Sequence, residues 1–165
     1  MFTLRQGTKE DIPDMLRLVK ELAEFEKAPQ EVDNTEERML EEGFGENPVF
    51  GFYVAEINQK IIGMSVYYYR YSTWKGKRLF LEDLIVTEEF RGQGVGKALF
   101  EKSIEHAIKT NCNGMSWQVL DWNIPAIEFY KKYNSNFDPE WINCSLSLEQ
   151  LKQHNNPAGV SEGTF

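Results

Sequence analysis

The stretch from Leu79 to Phe100 constrains this chain more than any other. An apolar run, LFLEDLIV, ends at Val86; after TEEF comes RGQGVGKALF, Arg91 to Phe100. Branched and aromatic side chains make the run a predicted buried strand. Val95, Leu99, Phe100, Ser103, Ile104 and Ala107 then recur at helical spacing, which predicts a helix over 95–108 that opens inside the glycine cluster. Glycines at such a junction let backbone N–H groups point the same way. The helix start adds unpaired donors and the positive end of the helix dipole, so the junction is predicted to hold a phosphate.

Spacing narrows the kind of loop. A P-loop needs glycine at position 91 and Ser or Thr after Lys97, but the chain has Arg91 and Ala98. A dinucleotide fingerprint wants its third glycine three residues after the second, whereas Gly92, Gly94 and Gly96 alternate. Arg91-x-x-Gly94-x-Gly96 instead resembles the acetyl-coenzyme A pyrophosphate loop of the GCN5-related N-acetyltransferases, which also joins a central strand to a helix. An ordinary glycine-rich turn is the alternative on these residues alone.

The 165 residues suffice for one domain with a proper core, expected over 1–152, with a polar, mobile tail over 153–165. No apolar run reaches membrane-spanning length, and no secretory signal is read at the N-terminus. Two cysteines make no disulfide framework, so a cytoplasmic location is expected. A net charge of −8 opposes binding to nucleic acid or anionic membrane and suits a cationic substrate; a merely solubilising acidic surface reads equally well. His106 and His154 have no neighbours at ligand spacing, so no metal is expected. Cys112 and Cys144 read as free structural thiols.

The rest of the chain predicts alternating elements. Phe2 to Gln6 reads as a strand and Thr8 to Asp11 as a capping box; a helix follows with Ile12, Met15, Leu16, Val19, Leu22 and Ala23 on one face. Phe25 and Glu26 close it. A short helix is expected from Asn34 or Thr35 to Gly43. Strands over 50–57 and 61–71 form a hairpin, and a third antiparallel strand starts near Arg78 after the turn around Trp74. The tyrosines at 67, 68, 69 and 71 are expected mostly to pack on the sheet. Beyond the glycine helix come a strand over 115–120, a helix capped by Asn123 with Pro125 in its first turn, a strand over 141–148 and a terminal turn from Glu149.

This order is similar to the acetyltransferase fold, an α/β architecture of mixed central sheet and flanking helices. Asn123-x-x-Ala126-x-x-x-Tyr130 matches the second half of that family's signature. The chain resembles the diamine (spermidine/spermine-type) acetyltransferases most closely, through KELA at 20–23, EGFGE at 42–46, Trp74-x-Gly76-Lys77, Leu81-Glu82-Asp83 and Phe129-Tyr130-Lys131.

The resemblance implies a set of roles. Main-chain groups of Leu84, Ile85 and Val86 would meet the pantetheine arm, and Arg91, Gly92, Gln93, Gly94, Val95, Gly96 and Lys97 would cradle the pyrophosphate of acetyl-CoA. Asn123 and Ala126 would line the other side of the coenzyme. Tyr130 would protonate the departing thiolate, and Glu82, through water, would deprotonate the substrate ammonium. Phe25, Glu26, Trp74, Glu82 and Asp83 would form the cleft for a small cationic amine. A homodimer is also implied. The chain departs from these relatives at Asn134, where they carry glycine, and at Ser72, where they carry aspartate. The acceptor is thus a polyamine or a lysine-like amino acid such as thialysine. A non-catalytic acyl-CoA sensor and a protein or peptide N-acetyltransferase are the competing readings; a sensor has no need of Glu82 or Tyr130.

Overall fold

A computed structural model describes residues 1–155, which fall into two compact units, Met1–Val119 and the segment from Leu120 onward. The first contains β1 (Thr3–Gln6), α1 (Ile12–Phe25), α2 (Glu36–Phe44), β2 (Gly51–Ile57), β3 (Lys60–Ser72), β4 (Gly76–Val86), α3 (Val95–Lys109) and β5 (Met115–Trp117). The five strands lie in sequence order. Neighbours are antiparallel up to β4. β5 joins β4 parallel, because the chain returns through the crossover helix α3.

Strand alternation sorts the core onto two faces. Phe52, Val54, Met64, Val66 and Ile85 meet Ile12, Met15, Leu16 and Leu18 of α1 and Met39 of α2, with Val19 and Leu22 packed at the margin. Each such buried side chain favours the fold by about 1.5–3 kcal/mol. α3 covers the opposite face, where the Ser103 hydroxyl donates to that of Ser65 at 3.1 Å. Thr35 caps α2 as expected, accepting from the Arg38 N–H at 3.2 Å. The tyrosines grade outward: Tyr67 is buried, Tyr68 half-buried, and Tyr69 and Tyr71 are exposed.

The second unit holds α4 (Ile124–Lys131) and α5 (Leu148–His154). Asn123 caps α4 as the sequence predicts, its Oδ1 accepting from the Ala126 N–H at 3.3 Å. Asn134 takes the left-handed conformation, φ 54°, which asparagine tolerates better than most residues.

Three expectations need correction. β4 starts two residues before Arg78, and β5 ends at Trp117 rather than 120. The strand expected over 141–148 does not form: residues 135–147 have neither helix nor strand, and Trp141 and Ile142 are 79% and 86% exposed. A strand needs a partner ladder, which a favourable composition cannot supply. A competing signal also intervenes. Ser147 and Gln150 form a capping box, the Ser147 N–H donating to Gln150 Oε1 at 2.8 Å and the Gln150 N–H to Ser147 Oγ at 3.3 Å, so the chain enters α5 at Leu148. The mobile tail expected from Gln153 lies outside the described residues from 156 onward; Gln153 and His154 belong to α5. Among the described residues no helix is long and apolar enough to cross a membrane.

Candidate active site

The carboxylates of the first unit are gathered by an irregularity in β4. Tyr67 pairs with Leu81 and Val66 with Asp83, so Glu82 is an extra residue without a partner on β3. Such a bulge interrupts the two-residue alternation. Glu82 follows Phe80 onto the face that α1 covers, and Asp83, opposite Val66, returns to that same face. Two consecutive acids therefore project on one side of the sheet, which a regular strand forbids.

The electrostatics agree with crowding. Asp83 is half-buried, and lost hydration, then the charges of Glu82 and Glu26, push its carboxyl up to about 7. Burial also raises Glu82 and Glu26 above the ordinary carboxylate range, although both side chains reach the surface. Among the described residues none of the three is ion-paired. A buried carboxylate raised further by two acidic neighbours forms a site that a cation would relieve. Phe25 stands beside Glu26 at the end of α1. Trp74 is not brought to this group; it lies in the β3–β4 turn, 88% exposed. Tyr68, expected only to pack on the sheet, belongs here: burial and then the charge of Glu82 raise its phenol, while Arg70 lowers it. No sequence signal marks it, because its placement depends on the register of β3 against β4.

The neighbouring edge of β4 is open. Its pairing with β5 is confined to Leu79–Leu81 against Met115–Trp117. Main-chain groups from Glu82 to Val86 on that side lie outside the ladder and, the Val86 carbonyl apart, are available to an extended ligand. The Ile85 side chain is sunk in the core, and those of Leu84 and Val86 are half-buried.

The glycine loop follows at once. Gly92 and Gly94 have φ of 74° and 83°, and a Cβ added at either would meet nothing within 4 Å. Their glycine identity answers to backbone conformation and leaves open space above the loop. Gly94 is the N-cap of α3, and its carbonyl accepts the Ala98 N–H at 3.0 Å. The N–H groups of the first turn have no intrahelical acceptor, and no acidic side chain stands in it. These residues fit a pyrophosphate, with Lys97 close by, its Nζ 3.8 Å from Glu101. Arg91 is placed differently from the sequence expectation: its Nε donates to the Val86 carbonyl at 2.9 Å, and its guanidinium lies 5.2 Å from the Phe25 ring centre. Gln93 reaches back to the Glu89 carbonyl at 3.1 Å. The backbone of the loop, rather than these two side chains, is left to face an anion.

In the second unit Tyr130 is buried, and burial pushes its phenol up to about 12. It is therefore protonated at neutral pH. Asn123 and Ala126 form the first turn of the same helix, and the Ser135 hydroxyl donates to the Tyr130 carbonyl at 2.9 Å. His106, expected as a lone histidine, is hydrogen-bonded on both ring nitrogens, to Tyr53 at 2.9 Å and Tyr69 at 2.7 Å, away from the carboxylates on the α3 face.

The profile of the Acetyltransferase (GNAT) family matches residues 13–134. A thialysine N-epsilon-acetyltransferase of Mus musculus is 40% identical over 161 residues, covering 91% of this chain and 95% of that protein. A human spermidine/spermine N(1)-acetyltransferase-like protein 1 is 37% identical over 136 residues, 78% of this chain and 20% of the longer protein. The fold is shared with an aminoglycoside N-acetyltransferase solved in complex with CoA, at a TM-score of 0.71 and 18% identity, covering 88% of this chain and 95% of that one. Glycine loop, open strand edge and capped second helix thus occur in a sequence matched along most of its length, and the chain belongs to the acetyltransferase (GNAT) family.

Proposed function

We propose that the protein acetylates a primary amine of a small cationic molecule, using acetyl-CoA as donor. The observation that carries this reading is the pair of unpaired carboxylates, Glu82 and Asp83, on one face of a strand with an open edge, with Glu26 at the end of α1 near enough for its charge to act on Asp83. Acetyl-CoA supplies an acetyl group activated as a thioester. The open main chain of Leu84, Ile85 and Val86 binds the extended arm, and the loop from Arg91 to Lys97 holds the phosphates through its N–H groups, with Asn123 and Ala126 completing the coenzyme site. Glu26 and Asp83 bind the ammonium, with Phe25 supplying aromatic surface. Glu82 accepts a proton from nitrogen, directly or through a water, because only the neutral amine has a lone pair with which to form the new N–C bond. As the C–S bond breaks, the Tyr130 phenol gives its proton to the sulfur, and its high pKa keeps that proton available at neutral pH.

A sensor that merely bound the coenzyme would have no use for crowded acids, so the enzymatic reading takes precedence. We place the reaction in a single domain over 1–152, in the cytoplasm and in a homodimer, the last supported by the exposed Tyr69 and Tyr71 on the long β3. The test is coenzyme A release from acetyl-CoA with a panel of diamines, polyamines, basic amino acids and lysine peptides. Turnover with small amines and none with peptides is expected; release with peptides alone would overturn the acceptor assignment.

A further inference from the structure

β3 and β4 carry a positive group on the same face as the acids. Arg70 and Arg78 are directly opposite one another in the register, on the side shared by Tyr68, Phe80, Glu82 and Asp83. Like charges facing across a strand pair are unfavourable unless something balances them. Among the described residues neither guanidinium is ion-paired. Arg78 turns to the Met115 carbonyl at 3.1 Å. Arg70 is exposed and leans toward the acids, its guanidinium 5.4 Å from the centre of the Phe80 ring, which in turn packs 5.2 Å from Tyr68. Tyr68 feels both ends, raised by Glu82 and lowered by Arg70.

We infer that Arg70, backed by Arg78, is a specificity residue that binds a carboxylate on the acceptor, so that the site selects basic amino acids over the diamines obtained by removing their carboxyl group. The face is bipolar. Phe80 lies two residues from Glu82, about 6.6 Å along the strand, so a guanidinium seated over Phe80 stands one side-chain length from the acids. A lysine-type molecule places an ammonium and a carboxylate at such a separation. A polyamine would set a second cation against Arg70 instead. The planar fork of arginine binds a carboxylate through two parallel hydrogen bonds and is held flat by an aromatic ring.

This inference rests on the acetyltransferase reading, and one experiment separates their failures. The intact protein is assayed for coenzyme A release with lysine against cadaverine and ornithine against putrescine, as wild type, Arg70→Gln and Arg70→Lys. Wild type is expected to prefer the amino acid of each pair. Arg70→Gln should raise KM for lysine and ornithine about 10- to 100-fold, as for loss of a charge-assisted bidentate contact, and lower KM for the diamines. Arg70→Lys, which keeps the charge without the fork, should fall between. An amino acid to diamine preference unchanged by Arg70→Gln, or a wild type that prefers the diamines, overturns the role of Arg70 while leaving acetyl transfer standing. Release with none of the four amines overturns the acetyltransferase reading and this inference with it.

Discussion

Replacing Asp83 by asparagine should make the free protein more stable at neutral and alkaline pH. The carboxyl is raised from 3.8 to about 7 by burial and by its two acidic neighbours. Well below 3.8 the group is protonated folded or unfolded and contributes nothing to the pH dependence. Between those values the unfolded chain releases the proton and the folded chain keeps it, so stability falls as pH rises; above pH 8 both states are ionised and the fold carries the whole penalty. A shift of about three units corresponds to a ceiling of about 4 kcal/mol, and partial hydration of a half-buried group brings the expected figure to about 2–4 kcal/mol. Asparagine keeps the shape and removes the charge. Urea denaturation of both proteins from about pH 3 to about pH 8.5 is the assay: the variant should gain on the wild type as pH rises, with no further pH-dependent difference near the acid end. A variant equally or less stable at pH 8.5 would refute the argument, since it would mean that the ionised carboxylate is already compensated in the free protein. The same linkage predicts that a cationic ligand binds wild type with proton release near pH 6.5, seen as a buffer-dependent heat in calorimetry.

Three further outcomes are expected. Tyr130→Phe should leave coenzyme affinity intact and reduce turnover by about 10²–10⁴; full turnover would remove the phenol from the chemistry. Gly94→Val should weaken coenzyme binding measured by calorimetry more than it lowers folding stability, because φ is 83° there and an added side chain would project into the open space over the loop; unchanged affinity in a folded variant would move the phosphate site elsewhere. Sedimentation at micromolar concentration should give a dimer, and a monomer would reject that assignment.

Much of the architecture is legible in the residues because local rules and tertiary packing agree there. The α1 face, the Thr35 and Asn123 caps and the start of α3 at the glycines each follow from side chains within a few positions of one another. Features that depend on a partner are not. The bulge at Glu82 is a relation between two strands, and neither strand announces it alone. The absent strand over 141–148 fails for want of a ladder, while the Ser147 cap, readable in principle from Ser-x-x-Gln, takes the chain into α5. Arg91 illustrates the third limit: its position in the motif suggests a phosphate ligand, yet a carbonyl and an aromatic ring within reach occupy the side chain. The acids of the cleft were identifiable by resemblance; Tyr68 and Arg70 emerge only from the face they share.

The extra residue in β4 gives the cleft an unusual kind of vulnerability. Substitutions at 82 or 83 change one group at a time, but a single-residue deletion there would close the bulge, pairing the one remaining acid with Val66 while Leu84, Ile85 and Val86 keep their partners on β3. Adjacent acids on one face are thus encoded by a count of residues rather than by their identities. A lineage could retune the proposed acceptor site by point changes around that count, whereas frame-preserving loss of one codon would halve the pair of acids and leave the strand edge beyond it in register.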